Sequence, residues 1–166
     1  MEWQSGNPTF LNGLERVSMK KFNVQKLIIF TDGAARGNPG PAAAAAVIKN
    51  DQGTLVAKVA KYLQIATNNQ AEYQAVLLGL EKAKELGAEE VDFYLDSELV
   101  VSQLNREYKV KDLSLQSFFV KIWNLSNSFK KITYHHVPRE ENREADKLAN
   151  LKLDEVLKIK PSSSEG

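Results

Sequence analysis

The chain has 166 residues, 43% hydrophobic and 26% charged, the length and mix of one globular domain with some terminal excess. Its 22 Lys and Arg against 21 Asp and Glu leave a formal net charge of +1, so nucleic-acid binding, if present, must rest on local groups rather than on a global basic field. Zero cysteines exclude disulfides, thiolate zinc sites and a cysteine nucleophile, and two adjacent histidines, His135 and His136, exclude a histidine-rich metal centre.

Met1 to Pro8 carries neither a basic nor an apolar run, so it does not read as a secretory signal, and cytoplasmic placement is the default expectation. Residues 1–24 are polar, contain Gly6, Pro8 and Gly13, show no sustained periodicity, and are expected to form an extension outside the domain. The apolar run Lys26–Thr31 predicts a first strand closed by Asp32. A turn-rich loop, Gly33 to Pro41, is expected next. Ala42–Ile48 and Thr54–Leu63 predict two strands joined by a hairpin at Asn50–Gly53. Five consecutive alanines favour helix by propensity, but the flanking Pro-Gly-Pro and the hairpin favour a closely packed strand.

Thr67 or Asn68 caps a predicted helix that ends at Leu86 with Gly87 as its stop. Val91–Leu95 predicts a fourth strand, closed by Asp96. Ser97 caps a short helix to Asn105, Leu113–Phe129 predicts another, Ile132–Val137 a fifth strand, and Asn142–Ile159 a last helix. Pro161 to Gly166 reads as a disordered tail. No run approaches the ~20 apolar residues that span a membrane. The order is an antiparallel three-strand meander followed by β-α-β units, an α/β fold with a mixed five-stranded sheet and helices on its faces.

Two adjacent strands that each end in a carboxylate, Asp32 and Asp96, can aim both groups at one spot. Carboxylates crowded in this way repel unless a hard cation lies between them, which points to Mg²⁺ and metal-dependent phosphoryl chemistry. Singly, each acid has a plainer reading: Asp32 or Asp96 as a turn or helix cap, Glu72 as a solvated first-turn acid. Taken with Asp146, the four acids fit that plainer reading poorly.

Four segments carry a more specific signal. Thr31-Asp32-Gly33-Ala34-Ala35-Arg36-Gly37-Asn38-Pro39-Gly40-Pro41 resembles the opening signature of type 1 ribonuclease H. Thr67-Asn68-Asn69-Gln70-Ala71-Glu72 resembles its second motif, Asp96-Ser97 its third, and Val137 to Ala149, with Asp146 inside, its fourth. The resemblance covers residues 26 to 152, with the motifs in order, and implies a ribonuclease H-like fold over residues 25–159 followed by a tail, 160–166. It also implies cleavage of the RNA strand of RNA–DNA hybrids with two Mg²⁺ ions, for which Mn²⁺ can substitute. In that reading Asp32 bridges the ions, Glu72 and Asp96 hold the leaving-group side, and Asp146 helps hold the nucleophile side.

Gly33, lacking a Cβ, would let the backbone approach a ribose or phosphate. The amides of Asn38, Asn68 and Asn69 both donate and accept, which suits the hybrid minor groove with its 2′-hydroxyls. The resemblance implies that these positions contact the RNA strand and that Thr67 contacts a DNA phosphate. Turn and N-cap chemistry is the plainer account of the same residues. The two uses are compatible, because a helix N-terminus also binds anions.

The chain departs from the family pattern in three places. Arg106 to Asp112 leads straight into the next helix where other members insert a basic handle, so a weaker, less salt-sensitive grip is expected. Trp123 then reads as a core anchor and the nearby lysines as a solvated face. The segment before Asp146 is short, and Arg139 or Glu140 stands near the place of a mobile histidine found in many members. This resembles the compact subgroup in which an arginine serves there, with His135 and His136 as packing or edge residues. Ile65 replaces a basic residue that supports the DNA-phosphate pocket in some members, which would relax strand discrimination and extend cleavage to double-stranded RNA. A monomer acting on hybrids, without membrane contact, is the expected enzyme. A non-catalytic hybrid-binding module on the same fold is the alternative, and a transposase- or exonuclease-like nuclease is a third reading that the Gly-Asn-Pro-Gly and Thr-Asn-Asn segments disfavour.

Overall fold

The computed structural model describes residues 25–158, so the expected extension (1–24) and tail (160–166) lie outside the described residues. The strands are β1 (Lys26–Ala35), β2 (Gly40–Asn50), β3 (Leu55–Ala66), β4 (Glu90–Leu95) and β5 (Lys131–His136). The helices are α1 (Asn68–Glu85), α2 (Glu98–Leu104), α3 (Leu113–Ser126) and α4 (Arg143–Leu157), with a 3-10 turn at Arg139–Glu141. The sheet order is β3-β2-β1-β4-β5. β1, β2 and β3 pair antiparallel, while β4 and β5 join parallel to β1 and to each other. This is the mixed sheet expected from the order of elements.

The hairpin forms because Asn50 Oδ1 accepts the N–H groups of Gln52 and Thr54 at 3.0 and 2.9 Å, and Gly53 supplies the left-handed backbone at φ +84°. The alanine run is a strand: Ala42 to Ala46 are fully buried in β2. Both α1 and α4 pack against β2, one on each face, so small side chains let the two helices approach the sheet. Tertiary packing here overrides the alanines' helix propensity.

One face of the sheet carries the main core. Leu27, Ile29, Val91, Phe93 and Leu95 meet Tyr73, Val76 and Leu80 of α1, all fully buried. Removing a ring such as Phe93 there would cost about 3–5 kcal/mol. The buried Tyr73 hydroxyl donates to Gln103 Oε1 at 2.7 Å, tying α1 to α2 behind the strand ends.

Two boundaries correct the sequence reading. β1 does not stop at Asp32; it continues to Ala35, pairing Asp32 with Ala45, Gly33 with Ala44 and Ala35 with Ala42. The expected loop of residues 33–41 therefore shrinks to a short crossing between Ala35 and Gly40. The parallel β1–β4 ladder ends at Phe30 and Tyr94. Asp32 thus lies where β1 runs past its parallel neighbour but is still held by β2. No helix was expected over residues 106–112, and the described residues there form none. Trp123 is not a core anchor: the residue is 46% exposed. No helix among the described residues is long and apolar enough to cross a membrane.

Candidate active site

Asp32, Glu72 and Asp96 come from three elements: the far half of β1, the first turns of α1, and the residue after β4. One carboxylate oxygen of each can be chosen so that all three lie within 4.8 Å of one another. Asp146, from the first turn of α4, lines the same cleft, and its carboxyl adds to the upward push on the Asp32 carboxyl. Gly33, Asn68, Asn69 and Arg139 also line it. The four acids expected from the sequence therefore meet, and so do these four of the remaining candidates.

α1 starts where it does because Thr67 forms a capping box. Thr67 Oγ1 accepts the Gln70 N–H at 3.1 Å, and the Thr67 N–H donates to Gln70 Oε1 at 2.9 Å. Thr67 is thus the N-cap and Asn68 the first helical residue. Glu72 then falls on the buried face of the helix, aimed at β1. Asn38 Oδ1 accepts the Asn68 N–H at 2.9 Å, which pins the β1–β2 crossing to the helix start. Its amide oxygen is therefore engaged within the fold, and the Nδ2 group is the part left for a ligand.

Gly33 has a different reason from the expected one. A Cβ built there would sit 2.5 Å from the Glu72 nitrogen and 2.6 Å from the Ala71 carbonyl oxygen. The missing side chain is filled by the backbone of α1, not by a substrate. Gly33 lets the helix approach β1 closely enough to bring Glu72 beside Asp32.

Asp32 and Glu72 are buried. Burial holds the Asp32 carboxyl far above the usual carboxylate range, and the neighbouring Glu72 charge adds to the effect. Burial also pushes Glu72 up, with Asp96 adding to it, while the Asp32 hydrogen bond, the Gly33 N–H and the Arg139 guanidinium pull the other way. Two such groups cannot both ionise unless a proton or a cation lies between them. Glu72 Oε1 is also buried with no hydrogen-bond partner. An all-carboxylate donor set with an orphaned buried oxygen suits a hard divalent cation such as Mg²⁺ or Mn²⁺.

Sequence reasoning missed Asn142. It is almost fully buried, and its Nδ2 donates both to the Thr31 carbonyl at 2.9 Å and to Asp96 Oδ2 at 3.1 Å. One amide therefore fixes the rotation of Asp96 against β1. The only hint in the sequence is an uncharged residue inside the charged run from Arg139 to Glu144. Asn150, one turn beyond Asp146, orients that acid through Nδ2 to Oδ1 at 3.2 Å. Arg36 reaches Asp154 at 2.9 Å and Asn150 Oδ1 at 3.1 Å, tying the β1–β2 crossing to α4.

Arg139 lines the cleft from the 3-10 turn, as expected of the residue standing in for a histidine. The two histidines lie on the edge strand β5, both exposed and neither lining the cleft. The His135 ring stacks on Tyr94 at 5.0 Å.

A family model described as reverse transcriptase-like matches residues 30–152. A bifunctional protein of Mycobacterium tuberculosis is 42% identical over 130 residues, covering 78% of this chain but 36% of that protein. The chain thus spans just over a third of the length of the first curated relatives it matches. Ribonuclease HI of Halobacterium salinarum is 36% identical over 153 residues, covering 92% of this chain and 75% of that protein. Among solved structures, LC11-RNase H1 in complex with an RNA/DNA hybrid matches with a TM-score of 0.76 and 39% identity, over 79% of this chain and 99% of that one.

Proposed function

Because the chain belongs to the ribonuclease HI proteins and to the reverse transcriptase-like family that spans them, we propose that it hydrolyses the RNA strand of RNA–DNA hybrids by two-cation catalysis, leaving 3′-hydroxyl and 5′-phosphate ends. The observation that carries this reading is the meeting of Asp32, Glu72 and Asp96 within one ligand sphere, with Asp146 and Arg139 on the same cleft. Mg²⁺ bound there, or Mn²⁺ in its place, would supply positive charge at the scissile phosphate and an activated water to attack it. A domain that only bound hybrids would gain nothing from four mutually repelling acids.

Each residue takes a role that fits its surroundings. Asp32, which shares one ligand sphere with Glu72 and Asp96 and one cleft with Asp146, would be the carboxylate common to both cations. Glu72 and Asp96 would hold the cation on the leaving-group side and Asp146 the one on the nucleophile side. Asn142 is a positioning residue that keeps Asp96 turned inward. Arg139 holds a positive charge that attracts the phosphate or the departing product. The Thr67 oxygen accepts the capping bond, which leaves its hydroxyl proton free for a DNA phosphate. The amide groups of Asn38, Asn68 and Asn69 face the RNA minor groove in this reading.

The test is cleavage of end-labelled RNA–DNA hybrid, RNA duplex and DNA duplex with Mg²⁺, Mn²⁺ or EDTA. The expected result is cation-dependent cutting of the RNA strand in the hybrid and none of DNA. The exposed Ile65, where a basic residue would help select a DNA strand, adds slower cutting of RNA duplex. Cation-independent cutting, or an intact hybrid, contradicts the proposal.

A further inference from the structure

A cavity of about 340 Å³ opens where α3 crosses β5, away from the carboxylates. Its wall includes Lys131, which pairs with Glu90 at the start of β4, whereas Asp96 follows the end of that strand. Six residues of strand put Lys131 ~20 Å from Asp96, and three put Tyr134, on the near wall of the cavity, ~10 Å from it. The two sites share no lining residue.

The cavity combines an apolar floor with a cationic rim. Leu104, Ile122, Ile132 and Phe129 form the floor, and Arg106, Lys130 and Lys131 stand around the mouth with no acid among the lining residues. Lys130 has an exposed pairing with Glu89 at 3.2 Å; Arg106 and Lys131 have no ion-pair partner among the described residues. In a chain of net charge +1 the cavity's own lining is thus cationic, with the nearest acids, Glu89 and Glu90, standing outside it against Lys130 and Lys131.

Arg106 occupies a position that normally favours glycine. The Glu107 N–H bonds the Ser102 carbonyl at 2.8 Å and the Arg106 N–H the Gln103 carbonyl at 3.0 Å, which is a Schellman ending for α2. Its left-handed residue is Arg106, at φ +63°. A side chain there strains the turn, and what it gains is placement: the guanidinium lies 4.6 Å from the centre of the Trp123 ring.

We propose that this cavity is a docking site for an acidic protein segment that inserts one bulky apolar side chain into the floor while its carboxylates meet Arg106, Lys130 and Lys131. The charge complementarity selects an acidic partner, and the aliphatic floor selects a side chain rather than a polar group. A single-stranded nucleic acid would need free aromatic faces. Here Arg106 covers the indole of Trp123, and Phe119 packs nearly parallel beside it, 16° off, with centroids 6.4 Å apart. An added β-strand is disfavoured too, because Asn105 Nδ2 already donates to the Tyr134 carbonyl on the open edge of β5 at 3.2 Å.

The test uses the full chain and fluorescence anisotropy of a short labelled peptide of Asp, Glu, Ser and Gly with one central Phe. Its controls are the same peptide with Ala for Phe, a Lys-containing analogue, and labelled oligo(dT). The Phe peptide should bind, and Phe→Ala in the peptide should weaken binding about 10- to 100-fold. Arg106→Gly should weaken it at least about 5-fold, with an unchanged melting midpoint because glycine suits the turn, and with unchanged hybrid cleavage. Lys131→Glu, at the exposed start of β5, should weaken it similarly and decides the matter if Arg106→Gly folds poorly. Equal binding of the Ala peptide, binding indifferent to both variants, no binding at all, or displacement by oligo(dT) would each overturn the proposal.

Discussion

A methyl group at position 33 is the smallest change that separates the two halves of the proposed site. The Cβ of Gly33→Ala would lie 2.5 Å from the Glu72 nitrogen and 2.6 Å from the Ala71 oxygen, both backbone atoms. Ordinary carbon contacts begin near 3.5 Å, so the first turns of α1 must retreat by ~1 Å. Neither side yields easily: the Thr67 box and the core pin α1, and β1 at Gly33 is paired to Ala44 of β2, whose outer side is covered by β3. Overpacking of this kind costs about 3 kcal/mol, or roughly 10 °C in melting midpoint for a domain of this size. Moving Glu72 by ~1 Å from Asp32 should slow cleavage about 100-fold. The assays are far-UV circular dichroism melting and single-turnover hybrid cleavage well below the variant's midpoint. Gly79→Ala is the control, because its Cβ would meet Phe93 Cε1 at 3.0 Å and Ile29 Cγ2 at 3.2 Å, side-chain atoms that can give way. The ~1 kcal/mol gain of Ala over Gly in a helix offsets that crowding, so stability and activity should change little. A Gly33→Ala protein with native midpoint and native rate would refute the claim that this glycine sets the Asp32–Glu72 approach.

Asp32→Asn should abolish cleavage yet fold with a near-native midpoint in EDTA, since burial beside Glu72 already keeps the cation-free Asp32 carboxyl protonated and the amide is neutral too; Mg²⁺ should raise the midpoint of the native chain but not of this variant. A folded Asp32→Asn protein with native turnover would sink the bridging assignment. Arg139→Ala should slow multiple turnover by roughly 10-fold or less, the loss expected of one exposed charge contact, while His136→Ala, on an exposed strand edge, should leave the rate near native; the reverse pattern would show that the wrong residue has been assigned. We also expect a chain starting at Met19 to keep its midpoint and activity, and a drop of several degrees would show that the preceding residues support the domain.

The fold was legible in the sequence wherever periodicity and punctuation agreed. Asn50-Asp51-Gln52-Gly53 specified a hairpin, Thr67 specified a helix start, and the apolar run from Leu27 to Phe30 specified a strand. The end of β1 was misread because Gly33-Ala34-Ala35 looks like turn composition. Its pairing comes from the alanines of β2, ten or so residues away, and small residues are needed there because helices cover both faces.

At the site, the four acids were legible through their motifs, and Arg139 through its place before Asp146. The role of Gly33 was not, because the atom that fills its missing side chain belongs to Ala71, which the sequence brings near only through the tertiary fold. Asn142 was missed for the same reason: its partners, Thr31 on β1 and Asp96 just past β4, are far away in sequence. Trp123 looked like core because large aromatics usually are, and its exposure follows from facing the open side of α3.

The central claim is that cations held by these carboxylates touch the phosphate that is cut. The most direct measurement replaces one non-bridging oxygen of that phosphate with sulfur and compares Mg²⁺ with the softer Mn²⁺. At the stereoisomer whose sulfur faces Asp32 and Glu72, cleavage in Mg²⁺ should fall by at least about 10-fold and recover in Mn²⁺. Equal rates for both isomers in both metals, or a loss that Mn²⁺ does not relieve, would contradict it.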